Sequence, residues 1–511
     1  MDPTEQRYTA AEHQAAGPGR LLLLLSSVLT VAFLSRFQLR LEVVRGVDVY
    51  YHLAVAREML NSGPLERFPW TPYSLFAERF ADKELLFHAL LMPLTQLDLV
   101  SAGQLGALLG QLAVVAALAG VLWSWRSPLA PLLVLGLCSV GPPLAVRLSM
   151  CRPHSFTIAF SILALGLLCS RQSRLAALFL VAGAHGLFHS GGWLTVGFAA
   201  LYCMTSLLNL PGQPRQLQLQ PLGAALGGWL TGQLLHPNLP LNFEVLWLQN
   251  VTVPLGASAA GETALSAALG GELMPSTLPE VLSNLPGLLV LGATATALAT
   301  RPQLRSRATI TTATAALIFT LLAITLMRRM WELSGPLSLL ALGATLVQAA
   351  QFRDKVFHTG RALLALAGLA LLLGAANTHR LANQWISEEA PPELMARWLA
   401  KNGTPGDLVY TAQWGDSAPL LWFAPQLRSL VALDPTFLFA ADPALFSAYA
   451  ATITGADPDP ISTIKSRFQA RFVTIWKVPP FASLSTAARQ DPRAQLVFED
   501  QHYEVFELSG P

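Results

Sequence analysis

Asp48 opens the stretch "DVYYH", so Asp48, Tyr50, Tyr51 and His52 stand just after an apolar run long enough to cross a membrane. Further ionisable residues flank later apolar runs. They are Arg147, Arg152 and His154 in "RLSMCRPH", His185 and His189 in "HGLFHSGGW", His236 in "LLHPN", and Arg328, Arg329 and Glu332 in "RRMWEL". Such groups are costly at membrane depth, so several gathered at one surface imply a polar cavity. An acid among cations suits group transfer from a polyprenyl phosphate. The apolar tail stays in the bilayer, Arg and His offset the charge building on the departing phosphate, and the acid takes a proton from an acceptor hydroxyl or amide. Asp48 is the candidate base. A lone carboxylate with neutral neighbours also suits a ligand for a divalent ion, Mg²⁺ or Mn²⁺. The C-terminus of a span disfavours an adjacent acid, which sets Asp48 apart from ordinary loop residues.

Plainer readings stand beside these. An Arg at a span end, Arg147 for instance, also snorkels to the headgroups. His185 or His189 alone is a common hydrogen-bonded packing residue. The run "AERFADKELL", with Glu78, Arg79, Asp82, Lys83 and Glu84, reads as a solvated charged turn before an interfacial helix.

The elements that must position these residues are mostly membrane spans. Of 511 residues, 53% are hydrophobic and 13% charged, and mean hydropathy is +0.46, values of a polytopic membrane protein. A net charge of +2 gives no sign of a nucleic-acid partner. Cys138, Cys151, Cys169 and Cys203 lie in or beside apolar runs without ligand-like spacing, so they indicate neither a disulfide framework nor a zinc site. After a polar tail over residues 1–20, an uncleaved signal anchor and further apolar runs predict about eleven spans up to residue 378. Residues 84–100 either cross or lie in the interface. If they do not cross and the N-terminus is cytoplasmic, the basic connectors "SWRSP", "RQSR", "LPGQPRQ", "RPQLRSR" and "QFRDKVFHTGR" all fall inside. The outer face then holds the first loop (39–100), a Gly-, Ala- and Pro-rich connector (237–283) and everything after residue 379. That last part reads as a small α/β domain, with strands in "LVYTAQ", "SLVAL", "RFVTIWKV", "AQLVFED" and "YEVFEL".

The stretch "DVYYHLAVAREML", an acid followed by an amphipathic helix, resembles the first outer loop of GT-C glycosyltransferases. It is most similar to the oligosaccharyltransferase catalytic subunit and protein O-mannosyltransferase group, whose Asp-x-Tyr-Tyr-His pattern matches Asp48, Tyr50, Tyr51 and His52. The resemblance implies a helical membrane protein acting on the outer face of a bacterial inner membrane, with Asp48 as the catalytic or metal-binding acid. It implies a polyprenyl-phosphate-linked sugar donor and a protein, lipid or glycan acceptor. The second outer loop of that family carries another acid; here it reads "RLSMCRPHSF" and has none. In this respect the chain looks more like uncharacterised bacterial GT-C relatives. "WGD", with Trp414 and Asp416, partly matches an acceptor-recognition motif of the oligosaccharyltransferases and equally reads as a packed turn. The alternative function is a carrier or flippase for a lipid-linked saccharide, whose cavity binds without reacting.

Overall fold

The computed structural model describes residues 16–39, 44–170, 174–252, 273–351, 360–387, 392–431 and 435–509. A helix occupies each expected apolar run: α1 (Ala16–Leu39), α4 (Leu99–Ser124), α5 (Ala130–Leu135), α6 (Pro142–Leu148), α7 (His154–Leu168), α8 (Leu175–Phe188), α9 (Leu194–Thr205), α10 (Gln220–Leu234), α13 (Leu285–Thr300), α14 (Arg307–Thr325), α15 (Trp331–Ala350) and α16 (Gly360–Ser387). Among the described residues four helices are long and apolar enough to cross a membrane by length and composition, or five if the bent pair at Ala130–Cys138 and Pro142–Leu148 is one span. Others, such as α7 and α8, are shorter than the roughly 20 residues that span a hydrocarbon core. The chain is an integral membrane protein with a helical core. Eleven crossings remains the expectation of the sequence, and residues 253–272 of the connector expected over 237–283 lie outside the described residues.

Small residues set the helix spacing. α8 and α10 approach so closely that a Cβ on Gly228 would stand 2.1 Å from the Phe179 carbonyl oxygen. The bent pair turns by 83° at residues 139–141, where Gly141 has φ +151, and this break carries α6 and Arg147 out of line with α5.

The segment between α1 and α4 builds α2 (Asp48–Ser62), a long turn, and α3 (Leu85–Leu91) with a 3₁₀ extension to Gln96. α3 with its extension is an apolar stretch shorter than the roughly 20 residues of a straight span, and it leads directly into α4. α2 is buried on nearly every side, Val49 through Ala56 without a break, because membrane helices lie against one side of it and the C-terminal part against another.

That C-terminal part runs from α17 (Glu393–Asn402) through a five-stranded sheet ordered β2–β1–β3–β5–β4. The strands are β1 (Leu408–Thr411), β2 (Arg428–Ser429), β3 (Phe472–Trp476), β4 (Ala494–Glu499) and β5 (Tyr503–Leu508). β1 pairs in parallel with β2 and β3, and β5 pairs antiparallel with β3 and β4. β1, β3, β4 and β5 lie within the expected segments, whereas β2 overlaps "SLVAL" only at Ser429. Period-two alternation divides the core: Leu408, Tyr410, Val473 and Phe506 pack on one face, Val409, Phe472, Tyr503 and Val505 on the other. Between strands stand α18 (Ser417–Phe423), α19 (Thr436–Ala441), α20 (Pro443–Thr454), α21 (Pro460–Phe468) and α22 (Ala482–Gln490). Earlier in the chain, α11 (Leu241–Trp247) and α12 (Leu278–Ser283) flank the undescribed part of the large connector.

Candidate functional site

Asp48 is the first residue of α2, reached through a turn at Gly46 with φ +73. At that position the unpaired N–H groups of a helix N-terminus favour a carboxylate. This corrects the sequence reading, which weighed the acid only against the C-terminus of the preceding span. Arg152 supplies the partner: its Nε lies 2.8 Å from Asp48 Oδ2, both side chains being mostly shielded. The loop in which an acid was missing therefore delivers a guanidinium to the same place.

Around this pair the expected residues sort into two groups. Arg329 contacts His154 Nε2, and the His154 and His189 rings stand 4.6 Å apart. His189 Nδ1 accepts from the Gly191 amide at 3.1 Å, which puts the proton of a neutral ring on Nε2. Arg147 Nε pairs with Glu332 Oε1 at 2.8 Å, and Arg329 and Arg152 both act electrostatically on Glu332. Lys83, together with Arg152 and Arg329, acts on His154. Arg152 thus meets Asp48, Arg147, Arg152 and Arg329 act on Glu332, and Lys83, held against Glu84, acts on the histidines between them. The excess of cations suits an anion.

The second group lies elsewhere. Tyr50 donates to Glu393 Oε1 of α17 at 2.9 Å. Tyr51 packs among Phe68, His52 and His88. His185 is fully buried, bonded to Thr195 and Thr157 and stacked on Phe160, as a packing histidine would be. Arg328 turns away from Arg329 to pair with Glu280. Trp414 packs against the sheet core, while Asp416 is buried and accepts from Tyr503 at 3.1 Å. Burial pushes the Asp416 carboxyl up to about 8, against the effect of the Tyr503 hydrogen bond. The pair joins a packed turn to β5.

The charged turn expected before α3 is not solvated. Asp82 and Glu84 are each 2% exposed, because Asp82 accepts from His88 Nδ1 and from the Glu84 amide, and its carbonyl oxygen accepts from His236 Nε2 at 2.8 Å. Lys83, which the sequence reading left in a solvated turn, is held against Glu84 and acts on His52, His154 and His189. Its signal was the spacing of Asp82 to His88, which gives that acid an internal partner and draws the turn inward. His52 lies within this buried group. Its ring is held well below the ordinary imidazole range, first by burial and then by His88, Lys83 and Arg152.

No protein-family model and no curated protein matches the sequence. Solved structures do match. The Archaeoglobus fulgidus oligosaccharyltransferase AglB, solved with an inhibitory peptide and a dolichol-phosphate, is similar at TM-score 0.60 and 14% identity, over 88% of this chain and 69% of that one. ArnT from Cupriavidus metallidurans, bound to undecaprenyl phosphate, is similar at TM-score 0.56 and 14% identity, over 97% of this chain and all of the other. The fold is that of the GT-C glycosyltransferases. Within this fold, Asp48 follows the first apolar helix and Arg152 lies between α6 and α7, and a direct ion pair joins them.

The same pair bears on whether Mg²⁺ or Mn²⁺ fits at Asp48. Such ions need several oxygen ligands. Asp48 offers one carboxylate, already engaged by Arg152, and the second loop adds no acid. The donor set does not fit a hard divalent ion there.

Proposed function

We propose that the chain is a membrane glycosyltransferase that moves a sugar or oligosaccharide from a polyprenyl-phosphate-linked donor to an acceptor on the outer face of the membrane. The observation that carries this reading is Asp48 at the start of α2, ion-paired with Arg152, which acts on His154 together with Lys83, Arg329 and His189. It is strengthened by the fold shared with structures solved with dolichol-phosphate and undecaprenyl phosphate.

In this reading the donor phosphate lies among Lys83, Arg152 and Arg329. Asp48 accepts the proton of the acceptor O–H or N–H as that atom attacks the anomeric carbon. The bond from that carbon to the phosphate oxygen breaks, and its electron pair leaves with the lipid phosphate, where the guanidinium and ammonium groups offset the charge. Arg152 has two tasks: it orients Asp48 before reaction and stabilises the leaving group afterwards. Arg147 and Glu332 hold the wall behind them.

The test is sugar transfer from a panel of polyprenyl-phosphate sugars by the purified chain in lipid, wild type against Asp48→Asn. Transfer that is lost in the variant, and that in wild type needs no added Mg²⁺ or Mn²⁺, is the expected result. Full activity in Asp48→Asn would sink the reading. Saturable binding of a donor with no transfer would favour the carrier.

A further inference from the structure

One helical turn from Asp48, outside the group assigned to the donor, three buried side chains turn their coordinating atoms toward one another. His52 Nδ1 and His88 Nε2 are 2.9 Å apart. Together with a carboxylate oxygen of Glu84, all lie within 4.8 Å of one another. The three residues are 3%, 0% and 2% exposed, so water has little access to any of them. His88 Nδ1 lies 2.9 and 2.8 Å from the two oxygens of Asp82, which fixes the His88 proton on Nδ1 and presents the Nε2 lone pair to the interior. Glu84 Oε1 contacts Lys83, but Glu84 Oε2 is buried without a partner. Without an ion the two imidazoles share a hydrogen bond, but the buried Glu84 oxygen beside them is left unmet, which packing alone does not explain.

We propose that His52, Glu84 and His88 form a binding site for a borderline divalent ion of the Zn²⁺ type, with Asp82 as the outer partner of His88. Two imidazole nitrogens and one carboxylate oxygen make a donor set used for zinc, whereas Mg²⁺ and Ca²⁺ prefer oxygen alone. Tetrahedral coordination with bonds of ~2.0–2.1 Å places two nitrogens about 3.3 Å apart, a few tenths of an ångström beyond the separation of His52 and His88. The carboxylate–histidine pair of Asp82 and His88 supplies the orientation that ligating histidines usually have. Lys83 keeps Oε1 of Glu84 and leaves Oε2 for the ion. The ion would tie α2, which carries Asp48, to α3 and the turn before it, so His52, Glu84 and His88 act as positioning residues. The site stands or falls independently of the reaction assigned to Asp48.

The full chain, purified in detergent and stripped with a chelator, is titrated with Zn²⁺ and with Co²⁺. Wild type is expected to retain one equivalent, to give the visible absorption of four-coordinate Co²⁺, and to show by X-ray absorption two imidazoles and no sulfur around Zn²⁺. Glu84→Gln and His88→Gln should weaken binding by more than about 100-fold and Asp82→Asn by ~10–100-fold. His189→Gln, which alters the neighbouring histidine pair, should retain the ion. Folding of each variant is read by gel filtration and circular dichroism. Wild type that takes up no ion, or holds it octahedrally or through sulfur, overturns the proposal whatever the variants do. So does a folded Glu84→Gln or His88→Gln that binds as wild type does, or a folded His189→Gln that loses the ion. If the Glu84 and His88 variants fail to fold, the two-imidazole spectrum of wild type and its persistence in His189→Gln decide in favour.

Discussion

Arg152 ties the site together, because one guanidinium meets the acid of the first loop and acts on both His154 and Glu332. Arg152→Gln keeps length and hydrogen bonding but removes the charge. Transfer should fall by ~10²–10³-fold, the usual cost of losing a fixed group that offsets transition-state charge. Arg152→Lys should recover only part of that, since an ammonium cannot repeat the guanidinium's forked geometry. Equal kcat in Arg152→Gln and wild type would remove Arg152 from the mechanism. Asp416 gives a prediction of another kind. In the folded chain it keeps its proton up to about pH 8, whereas in the unfolded chain it ionises near the ordinary value of 3.8. Between those values the folded state binds more protons, so wild-type stability falls as pH rises across the window and levels off above it. Asp416→Asn does not titrate and still accepts from Tyr503. Its thermal midpoint should therefore gain on wild type from pH 5 to pH 8, with a limit on the order of 1 kcal/mol per pH unit. A constant difference would mean that Asp416 is ionised in the folded chain.

At the scale of elements, close backbone approach matters more than any one side chain. Gly227 and Gly228 are neighbours on α10, yet a Cβ on Gly227 would meet only the Phe179 ring at 3.5 Å, an ordinary contact, while one on Gly228 would meet the Phe179 carbonyl oxygen at 2.1 Å. A carbonyl in a helix cannot move aside as a ring edge can. Gly228→Ala should lower stability in detergent by ~1–3 kcal/mol, and Gly227→Ala should change little; equal midpoints for the two would show that α8 and α10 are not packed this tightly. This contrast also explains what the sequence made legible. The apolar runs, the strand segments of the tail and the acid ahead of α2 could be read because hydrophobic period and residue type carry them. The burial of Asp82 and Glu84 could not, since a charged run looks the same whether water or His88 and His236 satisfy it. The sorting of Arg328 from Arg329 was hidden too: the two are adjacent in sequence, and their partners, Glu280 and His154, lie on other elements. Tyr50 was grouped with the site because it belongs to the Asp-x-Tyr-Tyr-His pattern, but the helix turns it toward Glu393.

Across the whole molecule, the segment between α1 and α4 is the joint between the apolar helices and the C-terminal sheet. Its apolar cluster is shared: Val49, Tyr50, Phe76 and Phe80 pack with Leu241 and Val245 of α11 and with Ala418, Leu421 and Phe437 of the C-terminal part. The Phe76 and Phe437 rings are 4.1 Å apart. Backbone bonds reinforce the contact, the Leu75 amide donating to Phe437 and the Ser429 amide to the Trp70 carbonyl, while Trp70 Nε1 donates to Pro425. A core divided in this way makes neither side independent of the other. Since α2 carries Asp48 and is buried partly by α18, the position of the acid depends on residues more than 350 further along the chain. Phe437→Ala should therefore act at a distance. It should lower stability by ~3–5 kcal/mol, as expected for emptying a buried aromatic site. It should also open residues 64–84 to limited proteolysis under conditions where wild type resists, and reduce transfer although Phe437 touches no proposed substrate group. If residues 64–84 stay protected and transfer is unchanged while the thermal midpoint falls, the joint is a passive seat, and the membrane helices alone hold Asp48 against Arg152.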